Sequence, residues 1–118
     1  YPELHYGRDA LVGVGLFLTY LCEEKCTCSE LKDKFPLYYM SKNKIELEPT
    51  TDVDAILAKM ADKFKDEKVT TIDGVKIDFE EGWVHLRKSN TEPIIRIYSE
   101  GKSEAEAERF AKLIIDSI

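Results

Sequence analysis

Apolar residues recur along this chain with two periods, and the switch between them marks out the elements. From 53 to 64, Val53, Ile56, Leu57, Met60, Ala61 and Phe64 fall at i, i+3, i+4, i+7, i+8 and i+11. That spacing places them on one stripe of a helix. Ala107, Phe110, Ala111, Ile114, Ile115 and Ile118 repeat the spacing position for position. Ser103 to Glu106 reads as a capping box for this second helix, with two acids in a first turn that favours negative charge. Thr51 to Asp54 is a weaker cap of the same kind for the first, with an aspartate in the glutamate position.

Elsewhere the period shortens to two. Val75, Ile77 and Phe79 alternate with Lys76 and Asp78, which predicts a half-buried strand after the Asp73-Gly74 turn signal. Val69 to Ile72 forms a short strand before it. Glu80-Glu81-Gly82 turns the chain, Trp83 to Arg87 runs back, and Ile94 to Ser99 is the last strand, broken by Gly101. Leu37 to Leu47, aromatic and bounded by Pro36 and Pro49, is a further strand, irregular near Ser41–Lys44. Two one-striped helices and several half-buried strands predict an α+β fold. It is a mainly antiparallel four-stranded sheet with two helices on one face.

The first third of the chain is different. Tyr1 to Arg8 has no initiator methionine and no helical period, and reads as the end of a strand and a loop cut from something longer. Asp9 to Leu21 is apolar on almost every side, the pattern of a helix buried in a large body. A short chain has little capacity to bury it, so the helix is expected to be a remnant of a preceding domain. Thr27-Cys28-Ser29-Glu30 fits a capping box for a short linker helix that Pro36 stops.

Composition narrows the function. The 118 residues are 43% hydrophobic and 34% charged, which describes one globular domain with a proper core. The net charge of −6 argues against nucleic acid or an anionic membrane as partner, so any anion site must be a local positive spot. The apolar run from Ala10 to Cys22 is shorter than the roughly 20 residues a spanning helix needs. Cys22, Cys26 and Cys28 have a C-x3-C-x-C spacing that matches no common zinc pattern, and an odd, clustered set is a poor disulfide framework. They read as reduced thiols of a cytoplasmic protein.

One positive spot exists. Arg87-Lys88-Ser89-Asn90-Thr91-Glu92-Pro93 joins two strands and is followed by Arg96. An arginine fork grips two phosphate oxygens at once, hydroxyls and a carboxamide add donors, and Asn90 tolerates a positive φ that lets backbone N–H groups converge on an anion. Glu92 could orient Arg87 or Arg96, or bind a sugar hydroxyl. The plainer alternative is a polar connection between strands, with Arg96 in a cross-strand salt bridge. For Arg96 alone the plainer reading leads. His85 reads as a solvent-facing strand residue, and Asp73 and Asp78 as turn and solvent residues. No nucleophile elbow and no magnesium-type carboxylate cluster is visible.

The loop resembles the R-x-S-[GN]-T-E-P phosphate loop of the α-D-phosphohexomutases, a superfamily of phosphoglucomutases, phosphomannomutases and phosphoglucosamine mutases. The order strand, helix, strands, helix over 37–118 is also similar to the family's C-terminal, TATA-binding-protein-like domain. His5-Tyr6-Gly7-Arg8-Asp9-Ala10-Leu11 resembles the end of its third domain. The resemblance implies that residues 1–34 close the preceding domain and add a linker helix, and that 35–118 form the C-terminal domain. It implies Arg87, Ser89, Asn90 and Thr91 as substrate phosphate ligands, Glu92 and Arg96 as supporting residues, and no catalytic or metal-binding residue in this stretch. Full-length enzymes of the family interconvert hexose 1- and 6-phosphates through a bisphosphorylated intermediate, using a phosphoserine and Mg2+ held by other domains. This chain alone is then expected to be inactive, with a phosphosugar and the N-terminal domains of the same chain as its partners. A free-standing, non-catalytic anion-sensing or interaction module is the competing expectation.

Overall fold

In the computed structural model, residues 1–48 and 50–118 are described. The chain forms two compact units, Tyr1–Pro36 and Leu37–Ile118. In the first, α1 spans Ala10–Glu24 and α2 spans Cys28–Asp33. The Asp9 side chain caps α1 by accepting from the Val12 N–H. A hydrogen bond from His5, and then the Val12 N–H, hold the Asp9 carboxyl below its usual range. The helix runs a turn beyond the expected Leu21, to a left-handed Lys25 at φ 50°, because Cys22, Glu23 and Glu24 tolerate helix as well as they tolerate loop. Residues 1–8 contain turns and bends and no strand, which corrects the expectation there. Tyr1 C=O accepts from the N–H groups of both Leu4 and His5, a local arrangement that uses up the backbone groups a sheet would need. No residue of α1 is buried, and Leu11, Val14, Leu16, Phe17, Leu18 and Tyr20 all remain exposed. The predicted capping box of α2 is complete: Thr27 accepts from the Glu30 N–H, and Glu30 accepts from the Thr27 N–H at 2.8 Å.

The second unit is a sheet with two helices. Its elements are β1 (Tyr39–Glu46), α3 (Val53–Lys63), β2 (Lys68–Thr70), β3 (Val75–Asp78), β4 (Trp83–Lys88), β5 (Ile94–Gly101) and α4 (Glu104–Ile115). The strands order as β1-β5-β4-β3-β2, and each neighbouring pair is antiparallel. The expected α+β architecture is present. The sheet has five strands and not the expected four, because the three residues of β2 also pair with β3.

Period-two alternation sorts the faces. Val75, Ile77, Val84, Leu86, Ile95 and Ile97 point to one face and pack with Leu57 and Met60 of α3 and Ala111 and Ile114 of α4. Both helices therefore cover the same side. Ser99, fully buried on that face, donates its hydroxyl to the Ala107 carbonyl at 2.6 Å and ties β5 to α4. The stacked rings of Phe79 and Phe110, 4.9 Å apart, close the core at the turn before β4.

Four local expectations shift. β1 is continuous through Ser41–Lys44, because all eight of its residues find partners on β5 from Gly101 back to Ile94. Pro49, expected to close that strand, lies outside the described residues. The α3 cap is Asp52, not Thr51: its carboxylate accepts from the Ala55 N–H at 3.0 Å. At α4, Ser103 caps as expected, but Glu106 takes the N–H of Lys102, one residue before the box position. Gly101 ends β5 as its last paired residue instead of breaking it, and a Cβ there would come within 2.8 Å of the Glu106 Cβ.

Candidate functional site

The helix-free face of the sheet carries the other half of each alternation, and there the polar chemistry collects. Strand register sets three cations side by side at the loop end of the β4–β5 hairpin. Lys44 of β1 lies opposite Arg96 of β5, and Arg96 lies opposite Arg87 of β4. One row further from the loop, Lys42, Tyr98, His85 and Lys76 follow across four strands. Lys88 faces the helix side and pairs at 2.7 Å with Asp54 of α3, so it is turned away from Arg87.

The loop is short and tied at both ends. The Ser89 N–H donates to the Ile94 carbonyl at 3.1 Å, and the Ile94 N–H donates to the Glu92 carbonyl at 2.8 Å. The Pro93 carbonyl accepts from the Leu47 N–H at 2.9 Å, anchoring the exit of the loop to the segment after β1. Thr91 N–H reaches the Ser89 hydroxyl at 3.4 Å, a weak contact. Asn90, Thr91, Glu92 and Pro93 are exposed and Ser89 is half-buried. The structure thus brings Ser89, Asn90 and Thr91 to the tip of the hairpin and sets Arg87 and Arg96 on its open face just behind them.

Behind the loop, His85, Arg87, Arg96 and Tyr98 line a cleft of about 160 Å3. The turn before β3 contacts two of its lining residues. Asp73 Oδ2 lies 3.2 Å from Arg87 Nε, and its backbone carbonyl meets His85 Nε2. That approach needs Gly74, which sits at φ 75° with Leu86 O and Arg87 Cα against the place a Cβ would take. Asp73, read from the sequence as a turn residue, and His85, read as solvent-facing, are therefore both tied to residues of the cleft. A second hollow on the same face is lined by Lys42, Lys44, Glu92, Ile94, Arg96 and Tyr98. Arg96 belongs to both and makes no ion pair among the described residues. Its expected cross-strand salt bridge is absent there, because its in-register neighbours are themselves cations. Lys44 donates to Glu46 Oε1 at 2.9 Å, and that hydrogen bond raises the lysine pKa and lowers that of the carboxyl.

Among the described residues, no three His, Cys, Asp or Glu side chains come together to hold a metal ion. The Mg2+ that the family resemblance implies finds no such set among the described residues. The three cysteines are free thiols. No helix of the described residues is long and apolar enough to cross a membrane.

With this geometry in view, the similarity to known proteins has a physical meaning. Residues 41–117 match the family described as phosphoglucomutase/phosphomannomutase, C-terminal domain. The phosphoglucosamine/phosphogalactosamine mutase of Sulfurisphaera tokodaii is 42% identical over 106 residues, covering 88% of this chain and 23% of that protein. The phosphoglucomutase/phosphomannomutase of Thermococcus kodakarensis is 41% identical over 115 residues, covering 96% of this chain and 25% of that protein. The crystal structure of a phosphoglucomutase/phosphomannomutase family protein from Burkholderia thailandensis shares the fold, with a TM-score of 0.53 at 22% identity over 75% of this chain and 19% of that one. A sheet with both helices on one face and a donor-rich hairpin loop defines the class: a C-terminal domain of sugar-phosphate mutases. The chain belongs to the phosphoglucomutase/phosphomannomutase family. It spans about a quarter of the length of the curated relatives it matches.

Proposed function

We propose that this domain grips the non-reacting phosphate of a hexose phosphate while the rest of a longer mutase chain carries out the phosphoryl transfer. The observation that carries the reading is the end of the β4–β5 hairpin. Two guanidinium groups stand in register on the exposed face, directly behind a tip of hydroxyls and exposed amides. Arg87 supplies a charged fork, Ser89 and Thr91 supply hydroxyl donors, and Asn90 supplies its side-chain amide. Charge-assisted hydrogen bonds of this kind fix a dianion in both place and angle. Complete orientation of a substrate is worth on the order of 7 kcal/mol of barrier, but only when the reacting groups are held opposite it. Glu92 and Arg96 support the grip from the exit side of the loop.

In this reading the enzyme interconverts hexose 1-phosphate and hexose 6-phosphate through a bisphosphorylated intermediate. The intermediate must turn over between two transfers, so the clamp has to accept a phosphate at either end of the sugar. A site that binds a phosphate and little else suits that requirement. The phosphoserine and the Mg2+ belong to preceding domains, and a cytoplasmic location fits the free thiols. Residues 1–34 are read as the close of a preceding domain and a linker helix, and the exposed apolar side chains of α1 support this, since such a domain would cover them. No observation favours the free-standing sensor module over this reading, and the mutase relatives weigh against it.

The test compares two proteins in an assay for hexose 1-phosphate to hexose 6-phosphate conversion. The chain of 118 residues is expected to show no turnover, and the longer protein is expected to show it. Turnover by the chain alone would contradict the division of labour, and inactivity of the longer protein on all hexose phosphates would contradict the mutase reading.

A further inference from the structure

We propose that Lys44, on the first strand, is a third cation of the anion site. It extends the site from the hairpin loop across the open face to the far neighbour of Arg96. The inference rests on the phosphate reading of the loop and adds to it a residue far away in sequence.

Register is the first observation. Lys44, Arg96 and Arg87 stand directly opposite one another on three adjacent strands. Like charges in directly opposed positions repel, and sheets ordinarily place acids or neutral residues between them. The other rows of this same face obey that habit. Tyr98 and His85 separate Lys42 from Lys76, and Glu100, Trp83 and Asp78 stand between Met40 and Lys68. Three cations in succession therefore occur where the loop presents its donors, on a chain whose net charge is −6.

The second observation is the hollow that Lys44 lines together with Arg96, Glu92 and Ile94. It meets the Arg87 cleft at Arg96, which lines both. An anion seated behind the loop is thus flanked by Arg87 on one side of Arg96 and by Lys44 on the other. The Glu46 carboxylate that holds Lys44 is itself 76% exposed. Such a pair is weak and solvent-screened, so a phosphate dianion can draw the ammonium away from it. Lysine suits this place: its flexible stem swings a point charge over a distance that a rigid fork could not cover.

The test is a titration of the 15N-labelled chain with inorganic phosphate at fixed ionic strength, following the amides of Ser89, Asn90 and Thr91 and those of Lys44 and Arg96. Lys44→Met is expected to weaken binding about threefold, the size of effect that one exposed charge has on another. Lys44→Arg is expected to restore it. Lys68→Met, at the far edge of the same face, is expected to change nothing. Unaltered affinity in Lys44→Met, or an equal loss in Lys68→Met, overturns the role of Lys44 and leaves the loop clamp standing. Movement of the Lys44 and Arg96 amides alone, still sensitive to Lys44→Met, supports Lys44 and removes the loop from the site. If neither set moves in the unaltered chain, both ideas fall.

Discussion

Arg87→Ala is expected to weaken inorganic phosphate binding by the chain about tenfold to a hundredfold. A hydrogen bond to a charged group contributes about 1.5–3 kcal/mol, and Arg87 is the one loop residue that offers a charged fork toward the open face, since Lys88 is turned to Asp54. The loss has two parts. The fork itself disappears, and Asp73, now 3.2 Å from Arg87 Nε, is left as an uncompensated carboxylate beside the site. Arg87→Lys recovers the charge but not the planar pair of donors, so it is expected to recover only part of the affinity. The side chain is 56% exposed, so chemical unfolding of either variant should match the parent within about 0.5 kcal/mol. Isothermal titration with phosphate, run beside urea unfolding, separates the two effects.

The second large effect is on stability. Ile97→Ala is expected to destabilise the second unit by about 2–5 kcal/mol, against a total that for domains is about 5–15 kcal/mol. Ile97 is fully buried in the middle of β5, opposite Leu86 on one side and Asn43 on the other. The strand has neighbours on both edges and α4 above it, so little can move to fill the cavity. The urea midpoint reports the loss. A shift corresponding to less than about 1 kcal/mol would mean that the core between sheet and helices is looser than the packing of Ile95, Leu86 and Ile114 implies.

Much of this architecture is legible in the sequence because it depends on local period. The stripes of α3 and α4 and the alternation in β3, β4 and β5 each decide a face without knowledge of the partner. The capping box at Thr27 and the Ser103 cap mark helix starts through contacts no longer than four residues. The loop is legible because its donors are consecutive. What escapes is what pairing creates. Ser41–Lys44 looks irregular by itself, since Ser41, Asn43 and the lysines have little strand preference. Pairing along the whole of β5 makes it regular. Lys44 joins Arg96 only through that register, across a gap of half the chain. Asp73 reaches Arg87 only because Gly74 lets the turn lie on the β4 backbone. The Asp52 cap and the Glu106 contact to Lys102 each miss the sequence assignment by one residue, the scale on which side-chain reach rather than pattern decides.

The central claim, that the tip of the β4–β5 hairpin holds a phosphate, has a direct test in the 1H–15N spectrum of the chain during addition of inorganic phosphate. Saturable shifts of the Ser89, Asn90 and Thr91 amides, lost in Arg87→Ala, are the predicted result. Stationary amides at 89–91 while others elsewhere in the chain move would contradict it.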